Sequence, residues 1–271
     1  MKRVAVLFLV LAMGLVSYSQ LAKKDKMPLT TSSKEAMAFY NEAFKHFEDV
    51  DMAKGMELLQ KSLEEDPDFF MANYYLALMN IGDEEKLRKF GNAALNCKAR
   101  LSEAEKLVKS TVEKLLAGKS TELTEVGKKL VVMYPKDISA YYLLLNYQDM
   151  AGDGQGFHET LLKAVEISPN PAPMHNMLGY SYMNRNQYDK AEEAFDMYIQ
   201  LAPGNPNVYD SKGDFYMNIK EYEKAYSAFM KSNSINPDWG LKKAQKAKHL
   251  FEVTEPARLA VTVLLDKFHS S

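Results

Sequence analysis

Residues 172–205 read APMHNMLGYSYMNRNQYDKAEEAFDMYIQLAPGN, and residues 206–237 continue PNVYDSKGDFYMNIKEYEKAYSAFMKSNSINP. The second stretch repeats the first at an interval of 34 residues: Leu178 and Lys212, Gly179 and Gly213, Tyr182 and Tyr216, Ala191 and Ala225, Phe195 and Phe229, Tyr198 and Ser232, Pro203 and Pro237 are each one period apart. The phase extends backwards, since Pro169, Pro135 and Pro67 fall one, two and four periods before Pro203. Self-similarity at this period marks a repeat architecture. Each proline stands where a helix must stop, because it donates no backbone hydrogen bond and biases the residue before it away from helix. Gly179 and Gly213 remove a side chain where two helices approach, and Tyr182, Phe195, Tyr216 and Phe229 fill the space around that approach. One such unit cannot bury its own apolar face, so neighbours must stack.

These residues, and in particular Tyr188-Asp189-Lys190-Ala191 and Tyr222-Glu223-Lys224-Ala225, resemble the tetratricopeptide repeat, a helix-turn-helix unit. The resemblance implies an all-α fold, a right-handed α-solenoid of about six repeats over residues 31–237 with C-terminal capping helices over 238–271. It also implies a concave groove lined by the first helix of every unit, and hence a non-enzymatic protein-interaction scaffold. Aligning the units places Tyr40, Phe44 and Phe47, then Met71, Tyr74 and Leu78, then Tyr142, Asn146 and Asp149, then Asn176, Tyr180 and Met183, then Asp210, Asp214 and Met217 in that groove. Such a groove is aromatic at one end and acidic at the other, suited to an extended or helical segment carrying apolar anchors and basic residues. The competing reading makes many of these aromatics core between units. A small-ligand or glycan carrier using the same groove, and less so an enzyme on a repeat framework, are the alternative functions.

The N-terminus reads as a secretory signal over residues 1–19: Lys2 and Arg3 precede an apolar run from Val4 to Val16, with Ser17 and Ser19 before Gln20. That run is shorter than the roughly 17–25 residues a membrane span needs, and no later segment is apolar enough to span. Without Lys2 and Arg3 the chain keeps 32 basic against 36 acidic side chains, a formal charge of about −4, which speaks against nucleic acid as a partner. The lone Cys97 can form no internal disulfide and reads as a buried small residue. These features predict an exported protein of a bacterial periplasm or cell exterior, monomeric or weakly associating, with another envelope protein or peptide as partner. Residues 20–30, polar and basic, are expected to form a flexible leader.

Along the chain, Ser32 with Glu35 and Ser102 with Glu105 have the spacing of capping boxes. They open helices to about Phe47 and Leu116, and partner helices follow near 52–64 and 121–133. The second unit departs from the pattern, with Phe90, Ala94 and Cys97 one residue late and no proline at Leu101, so it is expected to be displaced. The fourth unit, from Ile138 to Pro169, holds a glycine-rich turn over residues 152–156. No strand precedes that turn and no Lys-Ser or Lys-Thr follows it, so it is not a phosphate loop. A helix over about 241–251 sets Ala244, Ala247 and Leu250 opposite Lys242, Lys243, Lys246 and Lys248, a solvated capping helix, with Trp239 packing onto the end of the stack. Thr254 and Pro256 open a last helix to about Phe268. His46, His158, His175, His249 and His269 are scattered, and neighbouring acids such as Glu192 and Glu193 point apart on a helix. No metal, cofactor or catalytic residue is therefore assigned.

Overall fold

The computed structural model describes residues 24–254, and every regular element among them is helical, with no strand among the described residues. The all-α repeat fold read from the sequence is borne out. The expected signal over 1–19 and the last helix beyond Thr254 lie outside the described residues. The chain divides after Pro169 into two compact units.

Unit 1 holds α1 (Lys34–Glu48), α2 (Met52–Glu65), α3 (Phe70–Met79), α4 (Glu84–Asn96), α5 (Glu103–Leu116), α6 (Thr124–Met133), α7 (Ile138–Met150) and α8 (Gly154–Ile167), with one 3-10 turn at Ser120–Glu122 before α6. Short polar side chains start these helices by accepting backbone N–H groups that would otherwise lack partners. Asp51, Asp83 and Asp153 cap α2, α4 and α8 in this way, and Ser102 with Glu105 forms the full capping box of α5. At α1 the cap is Ser33, accepting from the Ala36 amide, so the expected box on Ser32 is displaced by one residue. In the glycine-rich stretch only Gly152 is left-handed (φ 68°), and Gly154 and Gly156 already belong to α8.

A second periodicity marks the turns. Val50, Gly118, Gly152, Asn186 and Lys220 all have positive φ and all lie at multiples of 34 residues from one another. Each follows the first helix of a repeat, where a left-handed residue turns the chain out of the helix. Position 84, where the same phase would put the turn of the second repeat, is instead the first residue of α4, and Leu87, Phe90, Gly91 and Ala94 are buried where the phase of α2 points to 89, 92, 93 and 96, so that repeat is displaced toward the N-terminus and not one residue late as its sequence suggests.

In α3 nine of ten residues are buried. Its Tyr75 ring meets Phe44 of α1 edge-on at 4.8 Å, and its Tyr74 hydroxyl bonds Thr111 of α5 at 3.1 Å and Tyr147 of α7 at 2.6 Å. First helices of four repeats thus converge on one another, and α3 is enclosed on every side, as a helix without a polar face must be.

Residues 24–31 are not a loose leader. The Lys24 amide donates to the Met133 carbonyl, the Met27 amide to Asp137 (2.6 Å), the Thr30 amide to Glu105 (2.7 Å) and the Thr31 hydroxyl to Asp66 (2.5 Å). Asp137 and Glu105 stand at the starts of α7 and α5 and Asp66 at the end of α2, so the segment straps three repeats together, and Met27 is buried in it. Backbone amides donate most of the strap's hydrogen bonds, so its order comes from acceptors elsewhere in unit 1 rather than from its own polar side chains.

Unit 2 holds α9 (Ala172–Asn184), α10 (Tyr188–Leu201), α11 (Pro206–Asn218), α12 (Tyr222–Ile235) and α13 (residues 241–254). Leu178, Gly179, Ala191, Phe195, Gly213, Ala225 and Phe229 are buried. A Cβ at Gly179 would collide with the Phe195 ring, and one at Gly213 with Phe229. Tyr182 and Tyr216 are half-buried, and Pro203 and Pro237 sit exposed in the turns after α10 and α12. Lys212 takes the place of Leu178 in the second repeat at 4 % exposure. Its ammonium pairs with Asp196 (2.8 Å) and Glu192 (3.2 Å) over the rings of Phe215 and Tyr216. The α13 residue Ala247 lies one period after Gly213 and, with Ala244, is buried in a cluster with Phe229, so α13 occupies the register of a further first helix. The Trp239 side chain is half-buried, and its carbonyl accepts from Asn233.

Candidate partner-binding face

The structure divides the expected groove residues sharply between the two units. In unit 1, Tyr40, Met71, Tyr74 and Leu78 are buried, and Phe44 and Phe47 pack partly buried against the same core. The Phe47 ring fills the space left by the missing side chain of Gly55. Tyr142 donates its hydroxyl to Glu48 of α1 at 3.4 Å, and burial pushes that phenol well above its ordinary range. Only Asn146 and Asp149 are exposed. The aromatic end of the expected groove is therefore closed: convergence of α1, α3, α5 and α7 turns the surface into core. This corrects the sequence alignment of Tyr40, Met71, Tyr74 and Leu78 to an open face, while Phe44, Phe47 and Tyr142 are half-buried.

In unit 2 the residues remain part of a face shared by α9, α11 and α13. Tyr180 sets its ring edge-on to Phe195 at 5.2 Å and donates its hydroxyl to Asp214 at 3.2 Å. Asn176, Met183 and Met217 are half-buried, and the Asn176 side-chain carbonyl has no hydrogen-bond partner among the described residues. Asp210 and Asp214 lie one turn apart on α11, and both accept from the Lys243 ammonium of α13, at 2.5 and 2.8 Å. Burial pushes the Asp210 carboxyl above its usual range, against the pull of Lys243. Burial alone would lower Lys243, but its bonds to both carboxylates hold it above the ordinary lysine value.

The sequence pattern sets Lys243 on a solvated face, whereas the structure pairs it with Asp210 and Asp214. The missed signal is its distance from the acids, 33 and 29 residues, close to one repeat period and therefore the spacing of neighbouring first helices. Cys97 is buried, its thiol donates to the Asp68 carbonyl at 3.0 Å, and burial pushes its pKa up, the environment of an unreactive core thiol. Among the described residues no three His, Cys, Asp or Glu side chains come together as a metal site.

The geometry is that of an all-α repeat protein. The tetratricopeptide repeat matches residues 172–205 and 206–238, the α9–α10 and α11–α12 hairpins. No curated protein matches the chain. Among solved structures it is similar to TTC0263, a thermophilic TPR protein of Thermus thermophilus (18% identity over 80% of this chain and 98% of that one, TM-score 0.47). It is also similar to YrrB, a TPR protein with an unusual peptide-binding site (21%, 70% and 97%, TM-score 0.45), and to the MamA protein (21%, 75% and 93%, TM-score 0.41).

Proposed function

We propose that the protein is a non-enzymatic scaffold that binds a segment of another protein across the α9–α11 face of unit 2. Tetratricopeptide-repeat proteins generally serve as protein-interaction scaffolds, and on this face every expected groove residue but Asp210 keeps some exposure. The observation that carries the reading is the group Asn176, Tyr180, Met183 and Met217, half-buried together with an unpaired amide carbonyl among them. Apolar anchors of a bound segment fit the aromatic ring and the adaptable methionines. Asp210 and Asp214 take a lesser part, because Lys243 already neutralises them.

The place of action that we propose is a bacterial envelope, on the strength of the Val4–Val16 run behind Lys2 and Arg3. No helix among the described residues is long and apolar enough to cross a membrane. The test is capture from envelope extract on the immobilised full chain, followed by mass spectrometry. Tyr180→Ala combined with Met217→Ala is expected to lose the captured partner, whereas Asn146→Ala with Asp149→Ala on unit 1 keeps it. Equal capture by both double variants would remove the reading.

A further inference from the structure

Met183 of α9 and Met217 of α11 lie 34 residues apart, one repeat period, and both are half-buried. Met183 packs against the cluster of Ala191, Phe195 and Phe215, and Met217 against that of Ala225, Phe229, Ala244 and Ala247. The next position of the same row is Phe251 of α13, also half-buried. Three successive first helices thus set one apolar side chain each at the rim of the core, and in two of them it is a thioether. Leucine and methionine exchange at little packing cost, so what methionine adds here is a sulfur lone pair open to mild oxidants.

We propose, resting on the reading of α9–α11 as the partner face, that Met183 and Met217 are a modification site at which hydrogen peroxide turns that face off. A sulfur lone pair attacks one peroxide oxygen, and an S–O bond forms as the O–O bond breaks. The leaving hydroxide takes the proton of the transferred hydroxyl, so the thioether, oxidised by two electrons, becomes a sulfoxide and the peroxide is reduced to water. The product carries a polar oxygen where the surface was apolar. In the free protein that oxygen turns to water, because each side chain stands at the rim of its cluster, and the repeats keep their packing. Beneath an apolar anchor of a bound segment it has neither water nor a donor, and the partner is released. Methionine sulfoxide reductases reverse the step.

Exposure separates these two sulfurs from others in the chain. Met52 at the start of α2 and Met197 on α10 are exposed and lie off the face, whereas Met71 and Met174 are buried in the core. A titration with hydrogen peroxide, followed residue by residue by peptide mapping, is therefore expected to convert Met52 and Met197 first, Met183 and Met217 next, and Met71 and Met174 last.

Capture from envelope extract by the immobilised full chain is read along the same titration. It should hold while only Met52 and Met197 are oxidised, fall about tenfold as Met183 and Met217 follow, and return after treatment with reductases for both sulfoxide epimers. Met52→Leu with Met197→Leu captures as the parent does and still loses capture to peroxide. In Met183→Leu with Met217→Leu, capture is the same before and after peroxide, whatever its starting level. Undiminished capture by chains carrying both sulfoxides, loss only once Met174 is oxidised, or loss of the parent's size in the Met183→Leu and Met217→Leu variant each overturns the proposal. Retention of capture by untreated Tyr180→Ala with Met217→Ala removes the face itself, so the two failures are told apart.

Discussion

Lys243 Nζ lies 2.5 Å from Asp210 Oδ2 and 2.8 Å from Asp214 Oδ2, and this pair of contacts ties the start of α13 to the middle of α11. Asp210 is 8 % exposed, so removing its partner leaves a desolvated carboxylate, while the lysine itself stands half in water and is screened. The expected cost of Lys243→Met is about 1–2 kcal/mol by urea unfolding at neutral pH. Lys243 is held above the ordinary lysine value, so the folded state binds its proton more tightly than the unfolded chain. The contribution is complete below about pH 10.4 and is lost as pH rises through the raised value. The stability gap between parent and variant should therefore close on the alkaline side and persist at neutral pH. A gap that widened with pH would contradict the ion pair.

The repeats also predict a packing series. Each of Gly55, Gly179 and Gly213 faces a phenylalanine of the other helix in its own hairpin: Phe47, Phe195 and Phe229. In the first repeat the pair is inverted, with the ring on the first helix and the glycine on the second. Gly179→Leu and Gly213→Leu are expected to destabilise by roughly 1–3 kcal/mol through overpacking. Gly213→Ala discriminates further: helix propensity alone would stabilise it by about 1 kcal/mol, whereas collision with Phe229 makes it destabilising. A rise in melting temperature for Gly213→Ala would refute the close approach.

The strap gives a third expectation. Glu105 is 1 % exposed and accepts from the Thr30 amide, the Thr30 hydroxyl and the Ser102 amide. Glu105→Ala leaves all three donors without a partner and removes half of a capping box, for an expected loss of about 2–4 kcal/mol. In hydrogen exchange, the Met27 and Thr30 amides of the parent should be protected, and the Thr30 amide should exchange freely in the variant. Rapid exchange of both in the parent would return residues 24–31 to the status of a loose leader.

Much of this fold is legible in the sequence because its determinants are local and periodic. Pro203 and Pro237 end helices by their own chemistry, Ser102 and Glu105 cap α5 across three residues, and the glycine-aromatic pairs recur at a fixed interval. The partner face was harder to read because exposure is a property of the assembled helices. Tyr40 and Asn176 occupy equivalent positions four periods apart, yet Tyr40 is buried among Phe44, Phe69 and Tyr75 while Asn176 is only half-buried. One signal was available: Phe70–Met79 has almost no polar residue on any side, and an all-apolar helix is enclosed rather than groove-lining. The strap had no such signal, because Thr30 and Glu105 meet across 75 residues.

The enclosed tyrosines of unit 1 supply the last prediction. Tyr74 and Tyr147 share a hydroxyl contact of 2.6 Å, with Thr111 bonded to Tyr74, and burial raises all of their phenols, Tyr75 included. For Tyr147, burial outweighs the hydrogen bonds from Thr111 and Tyr74 that favour ionisation, and its pKa rises to about 12. A phenol whose pKa is raised by folding keeps its proton in the native state while the unfolded chain loses it. Stability therefore falls as pH climbs from about 10, the unfolded value, toward about 12. Tyr147→Phe removes one of these protons. It is expected to cost about 1 kcal/mol at neutral pH by depriving Tyr74 of one partner while Thr111 remains, and to make the alkaline decline shallower by one proton. Urea midpoints followed across that pH range, alongside tyrosinate absorbance, measure both effects. A variant whose decline is as steep as the parent's would mean that Tyr147 ionises freely in the folded protein, and that the interior described for α3 and α7 is open to water.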